Sequence, residues 1–209
     1  SFMIEQEYIF LIILSYLTGA FPSAVLIGKI FFKTDVREFG SGNAGATNTF
    51  RVLGKKAGIP VLILDIFKGW LAVNYIFFIS SLSNNLDLVF EQQLVFGIAA
   101  VIGHLFPIYT GFRGGKGIAT LLGLLVGIQP AAALLSSLVF IIIFFISRYV
   151  SLSSIFAALA FPIIIYFLSD STDVSLIIFS IFVPLLAIIT HQKNIERLLK
   201  GEEVKVKFK

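Results

Sequence analysis

Seven apolar runs separated by short polar segments set the plan of the chain. They lie near Tyr8 to Ile30, Ala57 to Ser80, Leu94 to Tyr109, Ile118 to Ile128, Ala131 to Ile146, Leu152 to Leu168 and Val174 to Thr190. A helix needs roughly 20 mostly apolar residues to cross a hydrocarbon core about 30 Å thick, so most of these runs read as membrane spans, several at the short end. The run from Ile118 to Ile128 would measure only about 17 Å as a helix. It spans the core only if the helix starts inside the Gly115 to Thr120 segment, which would put Lys116 at a helix N-terminus, or if it continues past Gln129 and Pro130.

Composition agrees with the pattern. At 209 residues, 57% hydrophobic and 13% charged, the chain reads as a membrane protein and not as a soluble α/β domain. Spans occupy so much of it that one membrane-embedded domain over residues 1–209 is expected. Ser1 and Phe2 precede the sole methionine, Met3, and are expected to be a remnant outside the fold.

Charge then sets the parity of the crossings. All 16 Lys and Arg fall in four clusters: Lys29 to Lys68, Arg113 with Lys116, Arg148, and Lys193 to Lys209. The other connections, "SSLSNNLDL", "GIQPA" and "SDSTD", carry only polar groups and the acids Asp87, Asp170 and Asp173. By the positive-inside rule the basic clusters are cytoplasmic. An even number of crossings must separate Lys116 from Arg148, so Gln129-Pro130 is an outer hairpin turn. The expected fold is an all-α integral membrane protein with seven transmembrane helices, N-terminus out and C-terminus in, and with its functional loops at the cytoplasmic face.

This topology also accounts for most of the net charge of +4. Nucleic acid binding has no support, and no internal repeat of the kind found in many transporters is visible. Small residues at helical spacing, such as Ala99 and Gly103, read as close-packing contacts between helices. The absence of cysteine excludes disulfides, thiolate nucleophiles and cysteine-ligated metal. No carboxylate or histidine cluster has metal-ligand spacing, so neither metal nor cofactor is expected.

Four cytoplasmic segments hold the polar groups that topology leaves unexplained. In "FGSGNAGATNTFR", Phe39 to Arg51, the spacing Gly40-x-Gly42-x-x-Gly45 imitates a dinucleotide fingerprint, but that motif needs a preceding strand and a βαβ unit. What survives is the shared chemistry: glycines admit an anion to backbone N–H groups, and a following helix N-terminus aims its positive end there. Ser41, Asn43, Thr47 and Asn48 add donors, and Arg51 adds a bidentate fork. In "GHLFPIYTGFRGGKGIAT", Gly103 to Thr120, Thr110 stands where a Walker A loop requires Gly, and Gly117 stands where it requires Ser or Thr. Nucleotide hydrolysis is thereby disfavoured, yet Gly114, Gly115 and Gly117 around Lys116 suit a phosphate. His104 at the inner end of its helix reads by itself as a satisfied interhelical histidine. The serines of "RYVSLSSI", Arg148 to Ile155, read as caps of the next helix. "HQKNIERLLKGEE", His191 to Glu203, reads as an interfacial tail with Ile195, Leu198 and Leu199 on one face, and it sets His191 and Asn194 one turn apart.

In this order the segments resemble the motifs of the bacterial membrane family of acyl-phosphate:glycerol-3-phosphate acyltransferases. "GSGNAGATNTFR", "GHLFPIYTGFRGGKGIAT" and "HQKNIERLLKGEE" are similar to its three motifs, and "DIFKG" (Asp65 to Gly69) and "RYVSLSS" match further positions. The resemblance covers nearly the whole chain. It implies a seven-helix enzyme of the bacterial cytoplasmic membrane that moves a fatty acyl group from acyl phosphate to the sn-1 hydroxyl of glycerol 3-phosphate. The products are lysophosphatidic acid and phosphate.

The implied partners are these two substrates and membrane lipid, without CoA or acyl carrier protein as direct donor. The His-x4-Asp pair of CoA-dependent acyltransferases is indeed absent, since Tyr109 follows His104 and Glu196 follows His191 at that distance. The resemblance implies Ser41, Arg51, Lys116, His191 and Asn194 as catalytic residues, and Gly42, Asn43, Gly45, Thr47, Asn48, His104, Gly114, Gly115, Ser154 and Glu203 as substrate-binding. Two other classes place anion-binding loops at membrane helix ends: a transporter of phosphate or phosphoesters, and a serine-based lipid hydrolase using Ser41 or Ser154 with a histidine and an acid such as Asp65.

Overall fold

A computed structural model describes residues 2–78, 86–168 and 173–206. Their regular structure is helical, with no strand among the described residues. In chain order the helices are α1 (Phe2–Ala20), α2 (Ser23–Phe32), α3 (Ala46–Leu53), α4 (Lys55–Asn74), α5 (Leu86–Leu105), α6 (Ile118–Ile128), α7 (Pro130–Ser147), α8 (Val150–Leu168), α9 (Val174–Thr190) and α10 (Gln192–Leu199). Short 3-10 turns at Val36–Glu38, Tyr75–Phe78 and Ile108–Thr110 join them. Every expected apolar run is helical. Phe2 opens α1, while Ser1 and most of "SSLSNNLDL" and "SDSTD" lie outside the described residues.

The contacts divide the chain into two compact units, 1–128 and 129–209. In unit 1, α4 packs on α6 and α1 on α5. These contacts are close enough to need glycine. A Cβ on Gly69 would overlap the Thr120 carbonyl oxygen, and one on Gly103 would overlap the Tyr16 carbonyl oxygen. Gly103 thus has the packing role expected of it, with Ala100 rather than Ala99 at the reciprocal contact with Gly19. In unit 2, α8 packs between α7 and α9. Ile142, Phe145 and Ile146 of α7 are exposed, as suits a lipid-facing surface.

Four stretches are long and apolar enough to cross a membrane: Lys55–Phe78, Val89–Thr110, Pro130–Ser147 and Val150–Leu168. Two more arise if each bent pair counts as one span, α1 with α2 (41° bend) and α9 with α10 (63° bend). The first run is therefore broken where a single span was expected. Pro22 lacks an N–H and takes a non-helical conformation (φ −88°, ψ 64°), which ends α1 in a turn where the Phe21 carbonyl accepts the Ser23 N–H at 3.0 Å. The short α6 starts at Ile118, inside the segment expected for it, and Gln129 leaves the helix (φ −143°, ψ 66°) before Pro130 opens α7.

Lys68 departs from its assignment to a cytoplasmic basic cluster. It lies about 20 Å along α4 from Lys55 and is buried, with Nζ 2.9 Å from Asp65 Oδ1 and 3.2 Å from the Phe21 carbonyl oxygen. The i,i+3 partner explains its depth, because a lysine inside a span needs a paired anion or a backbone acceptor. Lys68→Met would bury Asp65 without its cation. The expected loss is about 3–5 kcal/mol, read as a lower thermal unfolding midpoint in detergent; an unchanged midpoint contradicts the buried pair.

Candidate functional site

The first glycine segment is a loop that opens α3. Gly40 and Gly42 take positive φ (61° and 71°), and Gly45 precedes the helix in an extended conformation. The first-turn amides of α3 have no intrahelical acceptor by geometry, which gives the loop the positive end expected for an anion. Ser41 and Thr47 are exposed, and Asn43 is half-buried. The stem of Arg51 packs beside Gly40, its Cδ 3.4 Å from where a Gly40 Cβ would lie.

Asn48 ties the loop together. It is buried, its Oδ1 accepts the Ser41 N–H (2.9 Å), and its Nδ2 donates to the carbonyls of Val36 (2.8 Å) and Phe39 (3.1 Å). Both ends of its amide bond the loop and the turn before it, so it shapes the loop from beneath.

The second glycine segment folds back on the end of α5. The Pro107 carbonyl accepts the N–H groups of Thr110 and Phe112, and the His104 carbonyl accepts the Gly115 N–H at 3.1 Å. Gly117 (φ 80°) then opens α6 directly after Lys116, which is half-buried. The two loops touch, since the Ala44 N–H donates to the Gly114 carbonyl at 3.4 Å. A further tie went unnoticed in the sequence. Arg37 grips both Asp35 oxygens (3.0 and 2.7 Å) and donates to the Thr110 carbonyl (3.1 Å), with Lys29 3.1 Å from Asp35. The guanidinium holds the Asp35 carboxyl well below the usual carboxylate range, against the opposing effect of burial. Asp35-x-Arg37 was the available signal, hidden among charges attributed to topology.

Unit 2 carries the remaining expected residues. The serines lie in the first turn of α8 instead of capping it: Ser153 and Ser154 bond back to the Tyr149 and Val150 carbonyls at 2.7 and 2.9 Å. Buried His191 closes α9. Its Nδ1 is 2.8 Å from the Ala187 carbonyl oxygen, which can only accept, so Nδ1 carries the proton and a neutral ring keeps its lone pair on Nε2.

Glu203 is a hub within this unit. Its Oε1 accepts from Asn194 Nδ2 (2.7 Å) and Ser151 Oγ (2.9 Å), and its Oε2 accepts from Arg197 Nε (2.7 Å). A carboxylate so occupied orients Asn194, and it would repel a phosphate placed beside it. The Val206 N–H to Arg148 carbonyl bond (2.9 Å) lays the same tail along the turn before α8.

Two glycine loops that open helices, on membrane-length helices, mark an integral membrane protein. The glycerol-3-phosphate acyltransferase family profile matches residues 9–201. The glycerol-3-phosphate acyltransferase of Staphylococcus saprophyticus is 46% identical over 201 residues, covering 96% of this chain and 98% of that one. That of Staphylococcus carnosus is 43% identical with the same coverage. The crystal structure of PlsY, an integral membrane glycerol 3-phosphate acyltransferase, in its glycerol 3-phosphate form aligns with a TM-score of 0.84 at 36% identity, covering 96% of each chain. Its lysophosphatidic acid form gives 0.81 at the same identity, covering 96% of this chain and 95% of that one. The chain belongs to the glycerol-3-phosphate acyltransferase family.

Burial raises the Glu203 pKa, but hydrogen bonds from Arg197, Asn194 and Ser151 bring it below its ordinary value. A depressed folded-state pKa stabilises above the unfolded value of about 4.3, and the contribution disappears as pH falls through the folded value. Glu203→Gln is expected to lower the unfolding midpoint at pH 7 and to flatten its fall below about pH 4. Parallel acid profiles of variant and wild type contradict the hub.

Proposed function

We propose that the chain transfers a fatty acyl group from acyl phosphate to the sn-1 hydroxyl of glycerol 3-phosphate, releasing lysophosphatidic acid and phosphate. Relatives solved in glycerol 3-phosphate and lysophosphatidic acid forms support this reading. The observation in this chain that carries it is the Ala44 to Gly114 contact, which joins two glycine loops that each open a helix. Two adjacent anion cradles suit a reaction in which both substrates bear a phosphate.

The chemistry needs little beyond placement. Acyl phosphate is a mixed anhydride with an activated carbonyl and a good leaving group. The hydroxyl oxygen attacks the carbonyl carbon, the bond from carbon to the phosphate oxygen breaks, and phosphate departs. Positioning and stabilisation of the developing oxyanion supply the rate. In this reading Ser41 and the backbone from Gly42 to Gly45, with Asn43 and Thr47, hold the acyl phosphate. Arg51, Lys116, Ser154, His191 and Asn194 are the residues proposed for glycerol 3-phosphate. The hydroxyl proton passes to the departing phosphate; His191 Nε2 is the competing acceptor.

In this reading the short α6 adds a seventh crossing to the four long helices and two bent pairs. The N-terminus is outside and the C-terminus inside, in the cytoplasmic membrane of a bacterium with the loops facing the cytoplasm. The test is purified protein in lipid, given long-chain acyl phosphate with and without glycerol 3-phosphate. Lysophosphatidic acid only when both are present is expected. Free fatty acid from acyl phosphate alone indicates a hydrolase, and uptake into sealed vesicles without conversion indicates a transporter. In the same assay His191→Gln is expected to keep most of kcat. A loss of about 10²- to 10⁴-fold assigns the proton to His191.

A further inference from the structure

Ser23, Asp65, Lys68 and His104 form a polar cluster inside unit 1, each nine-tenths or more buried. Asp65 Oδ1 is its centre, with Ser23 Oγ at 2.6 Å, Lys68 Nζ at 2.9 Å and His104 Nδ1 facing it at 3.7 Å. Asp65 Oδ2 has no hydrogen-bond partner among the described residues. Apolar side chains would hold helices together at lower cost, because each buried ion loses several kcal/mol of solvation. The bundle alone does not require these residues.

What lies over the cluster gives it a use. A Cβ on Gly115 would overlap His104 Nε2, and one on Gly114 would overlap the His104 carbonyl oxygen, which itself receives the Gly115 N–H. The second loop therefore rests on His104 through both ring and backbone. A small cavity, with room for about one water, opens between the α1–α2 break and the two loops, lined by Phe21, Ala44, Lys68, His104 and Gly114 among others.

We propose that Ser23, Asp65, Lys68 and His104 are a positioning assembly for the second glycine loop, setting where Lys116 and the loop amides meet the phosphate of glycerol 3-phosphate. The assembly touches no substrate. Asp65 faces the imidazole at 3.7 Å without a hydrogen bond, His104 lies against Gly114 and Gly115, and the loop carries Lys116. His104 thereby changes from an expected substrate ligand to a support one layer below. The proposal rests on the acyl-transfer reading.

The test measures kcat and the glycerol 3-phosphate KM at saturating acyl phosphate. His104→Ala is expected to raise KM about tenfold while kcat stays within about threefold, the size of one lost polar contact. His104→Gln, whose amide reaches the Nε2 position, is expected to recover most of it. Ser23→Ala, which leaves the Asp65–Lys68 pair intact, is expected to raise KM about threefold, and to add nothing when His104 is already Ala. A KM unchanged in His104→Ala, or a Ser23 effect that persists in full without His104, overturns the assembly. If His104→Ala does not fold, an unchanged KM in Ser23→Ala overturns it. Wild-type protein that forms no lysophosphatidic acid refutes the acyl-transfer reading itself; product with unaltered KM in the variants refutes only the assembly.

Discussion

An ammonium group cannot lie deep in a membrane span without a compensating partner, and Lys68 meets that constraint with two. Asp65, one turn earlier on α4, supplies the counter-charge, and the carbonyl of Phe21 supplies a backbone acceptor. The second partner lies at the break in the first apolar run, where the same carbonyl also accepts the Ser23 N–H. A broken helix in hydrocarbon is tolerated where its freed polar groups are satisfied by protein, and the break and the buried lysine meet at this carbonyl. The arrangement of the first unit follows, because α2 and the loop after it start at the break, while α5 delivers His104 to the same carboxylate.

A second anionic centre has the same form in unit 2. Glu203 gathers Ser151, Asn194 and Arg197, which draws the tail after α10 onto the start of α8. Both carboxylates receive several protein donors, and both belong to a family whose substrates are themselves anions. In both units the carboxylate is met by donors of the protein itself, so neither buried negative charge is left bare.

Much of this was legible in the sequence because membrane helices and glycine loops depend on local patterns. The apolar runs became helices, the short run began where expected at Ile118, and the glycine segments each opened a helix at Ala46 and Ile118. Partners distant in sequence could not be read. Asn48 looked like a ligand donor because nothing local shows that Val36, Phe39 and Ser41 would surround its amide. Glu203 was similarly claimed for the substrate, and Lys68 was counted as a surface charge because the positive-inside rule does not register an ion pair within a span. The break at Pro22 was overlooked because proline within an apolar run is common in membrane helices.

The central claim is that the charges buried at the broken helix serve the loops above them and not the stability of the bundle. The direct measurement compares Asp65→Leu/Lys68→Met with Lys68→Met alone, for thermal unfolding and for the glycerol 3-phosphate KM. Removing both charges together is expected to bring the unfolding midpoint back toward wild type, since no unpaired ion remains, while KM stays raised about tenfold. A double variant with the wild-type KM would contradict the claim and leave the pair a purely structural feature.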